Sequence, residues 1–228
     1  MLLLSVVACD KYLDKDPDSR VTVDSADKVQ KLLVSAYPTS TPAVVAEFSS
    51  DNIDDIGADN IYSNFLTRET AYWQPILEYN NVDGLQNIWD YHYKAIGQAN
   101  AALDAIETTL HNDASLNPAK GEALVARAYA HFCLVNLFSQ AYNPNTSSSD
   151  LGIPYITRPE EEMNPQRQRG TVAQVYQQIA ADLEKGLPLI DDSYYQMPKY
   201  HFNKKAAYAF AARFYLYYQQ WQKALDAA

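Results

Sequence analysis

The chain has 228 residues, enough for one large domain or two small ones with a real buried core. Its 47% hydrophobic and 20% charged residues argue against disorder. With 18 basic against 28 acidic residues the net charge is −10, and such a surface repels phosphate backbones, which argues against a nucleic-acid binder. Eighteen Tyr and three Trp are the compositional oddity, since tyrosine suits half-buried helix faces and sugar-stacking surfaces equally well. Seven Gly in a chain rich in Ala and Leu favour helices over an all-β meander.

The start, Met1 to Ala8, is a short apolar run far below the roughly 20 residues that span a bilayer. It matches the end of a signal peptide, and Val6-Val7-Ala8-Cys9 resembles a bacterial lipobox, in which Cys9 is diacylated and becomes the mature N-terminus. The bland alternative is a buried strand with an ordinary core cysteine. Because the chain turns polar at once from Asp10 to Pro17, residues 1–8 are expected to be a signal-peptide remnant and 9–23 a lipidated tether. Cys133, inside an apolar helical run, reads as inert packing.

A first helix is expected from a cap at Asp24 or Ser25, with Val29, Leu32, Leu33 and Ala36 on one face, ending before Pro38. Residues 38–82 largely lack helical period and are rich in Ser, Asp and Asn; so long a connection is usually functional. From Asp83, the positions Leu85, Ile88, Trp89, His92, Ile96, Ala99, Leu103 and Ile106 predict a helix. Pro118 opens the next, whose apolar face carries Leu124, Ala128, Phe132 and Val135. A polar loop at 143–150 leads to an extended piece at 151–156. Thr171 and Gln174 form a capping box ahead of Val172, Val175, Tyr176, Ile179, Leu183 and Leu187. Asn203 caps a helix to about Gln219, and Trp221 begins another.

In that last pair, Tyr208, Ala211, Ala212, Tyr215 and Ala224 follow tetratricopeptide spacing, in which small residues let paired helices approach closely. The pattern stops at Ala228 without a stop signal, so the chain is expected to be a fragment. The fold class expected is all-α, with tetratricopeptide-like helical hairpins and long irregular loops.

In order and spacing, five stretches resemble the SusD/RagB family of nutrient-binding outer-membrane lipoproteins, as the N-terminal part of a longer member. They are Cys9 to Asp14; Trp89 with Tyr93, Ile96, Asn100 and Leu103; Gly121, Glu122 and Ala123 through Arg127 to Phe138; Gly152-Ile153-Pro154; and Lys204 through Arg213, Tyr215 and Leu216. The resemblance implies that residues 24–228 form a SusD-like N-terminal helical domain. It also implies a lipid-anchored, surface-facing place on the outer membrane, with no other membrane contact. The partners implied are an oligosaccharide ligand and a TonB-dependent, SusC-like transporter that receives it, with no catalysis and no cofactor. The rival reading is a lipid-anchored tetratricopeptide scaffold that binds a peptide.

The candidate binding residues are Asp51, Arg68, Tyr72 and Trp73, in a stretch that also holds Asn52, Asp54 and Asp55. Sugars need flat aromatic faces for their C–H surfaces and carboxylate, amide or guanidinium groups for their hydroxyls. The alternative is that Trp73 packs beneath the loop. Asp51, Asp54, Asp55 and Glu160 to Glu162 could form a glycosidase pair, but a solvated face explains them more simply. The run Tyr208, Tyr215, Tyr217 and Tyr218 could be a sugar platform; at helical spacing, packing is favoured.

Overall fold

The computed structural model describes residues 22–57, 64–77, 81–160 and 167–228. The expectations for residues 1–8, for Cys9 and for most of the tether lie outside these, as do Glu161 and Glu162.

Eight α-helices stand among the described residues. The central one, α5 (Asn117–Phe138), explains the rest. Its sequence predicts one apolar face, yet residues from Ala119 to Val135 are buried almost without interruption, on all sides. A helix apolar all round must be surrounded, and α5 is: α4 (Leu85–Asp104) and α6 (Val172–Gly186) flank it, with α1 (Ala26–Leu33) packed on both α4 and α5. Small residues allow the close approach. A Cβ on Gly121 would meet the Gly186 carbonyl oxygen at 2.8 Å, and one on Gly186 would meet that of Gly121 at 3.0 Å.

Local chemistry sets the helix ends. The α6 capping box forms as expected, Thr171 accepting from the Gln174 amide and the Gln174 side chain accepting from that of Thr171. At α1, Ser25 sits at the N-cap without a side-chain bond, while Asp24 instead pairs with Lys28 at 2.9 Å. The helix closes at Leu33, and Ala36 is buried in the turn that follows. After α4 the backbone widens into a π-turn over Ala105–Thr109 before Pro118 enters α5.

At the C-terminal end, α7 (Lys204–Tyr217) and α8 (Trp221–Ala227) form a tight hairpin. Ala211, Tyr215 and Ala224 are buried there, as tetratricopeptide spacing requires, while Tyr208 and Tyr217 are exposed. The tyrosine run is therefore divided between packing and surface. The fold is all-α and tetratricopeptide-like; among the described residues, sheet pairing is limited to one antiparallel bridge, Leu151 with Thr171. No described helix is long and apolar enough to cross a membrane.

The long stretch expected to be irregular holds two short helices, α2 (Ala43–Phe48) and α3 (Phe65–Ala71). Val45 and Leu66 bury against Ile88 of α4 in a satellite core of their own. That small core holds the candidate site against the bundle.

Candidate functional site

Asn64 caps α3, its side chain accepting from the Thr67 amide at 2.9 Å. Leu66, Thr67 and Thr70 face inward, so Phe65, Arg68 and Tyr72, at steps of three and four, share the outward face. The Arg68 guanidinium lies 4.9 Å from the centre of the Phe65 ring. Tyr72 donates its hydroxyl to the Asp55 carboxylate, which joins the segment after α2 to the end of α3. That bond, together with the Gly57 amide, holds the Asp55 carboxyl below the usual carboxylate range, and the same carboxylate raises the Tyr72 phenol.

Trp73 ends α3 in an unusual way. The Trp73 amide donates to the Thr70 carbonyl at 3.1 Å and the Gln74 amide to the Glu69 carbonyl at 2.8 Å, the paired bonds of a Schellman cap. The residue at this left-handed position is usually glycine; here it is tryptophan, with φ 53°. The residue is 79% exposed. Glu69 then reaches forward to accept from the Leu77 amide at 2.7 Å, folding the following segment of chain back over α3. Ile56, Phe65, Tyr72, Trp73 and Leu77 are all more than half exposed, and Tyr72 is tied to the Asp55 carboxylate.

The structure thus brings Tyr72, Trp73 and Arg68 to one helix end. Asp51 stands exposed in the turn after α2, and the carboxylate that reaches the rings is Asp55. Sequence reasoning named the region and put Asp51 beside the rings, with Asp55 as a neighbour only, because the path of the chain after α2 decides which carboxylate comes near.

Sequence reasoning also missed two polar knots inside the bundle. In the first, Arg127 donates twice to Asp182, from Nε and Nη2, both at 2.7 Å. Its Nη1 reaches Asn100 Oδ1 at 2.8 Å and the Thr157 carbonyl at 3.2 Å, while Tyr155 donates to Asp182 at 2.6 Å. In the second, Glu122, wholly buried, accepts from Tyr37 and from His201 Nδ1 at 2.8 Å. Both carboxylates are engaged by donors and sealed from solvent, so neither is presented to a substrate.

Gly152-Ile153-Pro154 gains its meaning here. Tyr93 donates to the Pro154 carbonyl at 2.8 Å, Asn100 to that of Ile156 at 3.0 Å, and His131 Nε2 accepts from the Ile156 amide at 3.1 Å. The segment is a strap bonded across α4, α5 and, through Tyr155 and Asp182, α6.

A SusD-like family profile, described as starch-binding associating with outer membrane, matches residues 11–216. A SusD superfamily protein from Bacteroides thetaiotaomicron superposes with TM-score 0.66 at 24% identity, over 88% of this chain and 44% of its own. A SusD-like carbohydrate binding protein from Bacteroides vulgatus gives TM-score 0.62 at 21% identity, over 88% and 43%. A laminarin binding SusD-like protein gives 0.65 at 19% identity, over 90% and 42%. The chain spans less than half the length of these solved structures. No curated protein matches it.

Proposed function

Since this chain belongs to the SusD-like family of starch-binding, outer-membrane-associated proteins, we propose that it captures an oligosaccharide on the exposed aromatic face around Tyr72 and Trp73 and passes it to a TonB-dependent, SusC-like transporter, without catalysing a reaction. Residues 1–8 would be removed, Cys9 would carry the lipid, and residues 9–23 would tether the helical domain 24–228 to the cell surface.

One observation carries the sugar-binding part. Trp73 occupies a left-handed position where a non-glycine residue costs roughly 1–2 kcal/mol. It does so with 79% of its surface in water, where its ring returns almost no burial energy. Strain of this kind is kept where the side chain is needed. Beside it, Tyr72 is held by Asp55 at a fixed angle, and two oriented rings suit the C–H faces of a sugar chain.

Calorimetric titration against a neutral oligosaccharide panel tests the reading. Trp73→Ala should weaken the best binder by around tenfold, one decade being about 1.4 kcal/mol. Unchanged affinity for every binder overturns it. The anchor is tested separately: with a complete signal peptide supplied, Cys9→Ala should abolish palmitate labelling and release the protein from the outer membrane.

A further inference from the structure

The stretch of chain that carries the aromatic face is strongly one-signed in charge. Between residues 32 and 93 the sequence carries nine carboxylates and one guanidinium, Arg68, with no lysine. Asp51, Asp54 and Asp55 are exposed, and Asp55 is fixed against the Tyr72 hydroxyl. The Gly57 amide, a second donor to Asp55 at 2.7 Å, keeps that carboxylate ionised. The single cation lies over the ring of Phe65.

A sugar stacked on Tyr72 or Trp73 therefore meets acceptors. Carboxylates take hydrogen bonds from hydroxyls, which every neutral hexose or pentose supplies in quantity. A uronic acid or sulfate ester brings a like charge to the same place, and like charges this close repel. Resting on the reading that this face holds an oligosaccharide, we propose that it selects uncharged glycans and rejects uronates and sulfated sugars, the discrimination arising from Asp55, which is bonded to Tyr72, with the exposed Asp54 beside it in the chain and Asp51 on the preceding turn adding charge of the same sign.

The test pairs ligands that differ only at C6, a hydroxymethyl group against a carboxylate: β-1,4-mannohexaose with the β-1,4-mannuronate hexamer, and α-1,4-galactohexaose with the galacturonate hexamer, alongside maltohexaose, laminarihexaose and a heparin-derived hexasaccharide. Affinities are measured on the full chain at low salt and on Trp73→Ala, which marks the binders that use this face. The ligands weakened by Trp73→Ala should all be uncharged, and an acidic counterpart should bind at least tenfold more weakly. That gap should narrow severalfold in the Asp51→Asn, Asp54→Asn, Asp55→Asn triple variant, where the amide oxygen at position 55 can still accept from Tyr72, and in 0.5 M NaCl, where charges are screened beyond a few Å. A uronate or sulfated ligand that binds in a Trp73-dependent way as tightly as its neutral counterpart overturns the selectivity and leaves the sugar-binding reading standing. Binding that Trp73→Ala never alters, or no binding by any of the seven ligands, overturns the sugar-binding reading and the selectivity with it.

Discussion

Single residues in this molecule carry opposite kinds of constraint. Trp73 is exposed and strained; His131 is buried and satisfied. At Trp73, glycine relieves the left-handed penalty, so Trp73→Gly should raise stability by up to about 1 kcal/mol. A urea titration checks this, and a loss of more than about 2 kcal/mol would mean that the ring is packed. At His131 the Ile156 amide can only donate, so Nε2 must be bare and the proton must sit on Nδ1, which donates to the Arg127 carbonyl at 2.9 Å. A second proton would have to point at an N–H. Burial, the largest cause, pushes this imidazole down to about 3. A depressed histidine is neutral in the folded state but charges in the unfolded chain below about 6.5, so stability falls as pH drops from that value towards 3. At pH 5 the loss from this group alone should be about 2 kcal/mol, at 1.36 kcal/mol per pH unit. His92, lowered by burial as well, acts in the same direction. Urea midpoints at pH 7 and 5 for the wild type and His131→Gln should show a clearly smaller pH dependence in the variant.

Among elements, α5 and α6 cross at very close quarters. Gly121 and Gly186 face each other, and their backbones approach to distances that a methyl group cannot share. At Gly121 the obstacles are the Gly186 carbonyl at 2.8 Å, Leu189 Cβ at 2.9 Å and the Ile190 amide at 3.1 Å, none of them the far end of a flexible chain. Helix propensity alone would reward Gly121→Ala by up to about 1 kcal/mol. The clash should win. Thermal unfolding should show a net loss of roughly 1–3 kcal/mol, the usual scale of overpacking. Gly97, also in a helix, serves as the control: a Cβ added there would meet nothing within 4 Å, so alanine should stabilise.

Across the whole molecule, the Arg127 knot fastens four pieces of chain at one point. It takes Asn100 from α4, Asp182 from α6, and the strap through Tyr155 and Thr157. Arginine suits this place because its planar fork satisfies a carboxylate in two bonds and still has a nitrogen for a third partner. Arg127→Met strands Asp182 in the interior and should cost about 3–5 kcal/mol. The Arg127→Met, Asp182→Leu double variant removes both charges and should be more stable than Arg127→Met. Chemical denaturation of the wild type, Arg127→Met, Asp182→Leu and the double variant decides it: a double variant at the sum of the two single losses would show that the pair acts through its separate contacts alone. The strap lies far along the chain from the helices that hold it, so the knot also makes the fold's long-range contacts depend on one another.

Periodicity and capping residues made most of the fold legible. The helices α4, α6 and α7 stand where three- and four-residue spacing and the Thr171 and Asn203 caps place them, since these signals are local. The family resemblance rested on motifs whose residues prove to be tertiary: Gly121 is a helix contact, Arg127 a knot, and Gly152-Ile153-Pro154 a strap. Their order could be read in the chain; their reasons could not. Local signals cannot show that a helix is surrounded, and so α5 read as one-faced. Nor could they show which aspartate reaches Tyr72 or that Trp73 stands in water. Composition, periodicity and caps alone specify an acidic, all-α chain with an aromatic-bearing stretch ahead of α4, but not the short helices α2 and α3 within that stretch. Burial, the pairing of Arg127 with Asp182 and the exposure of Trp73 were decided by tertiary structure, because each depends on groups tens of residues apart meeting in space.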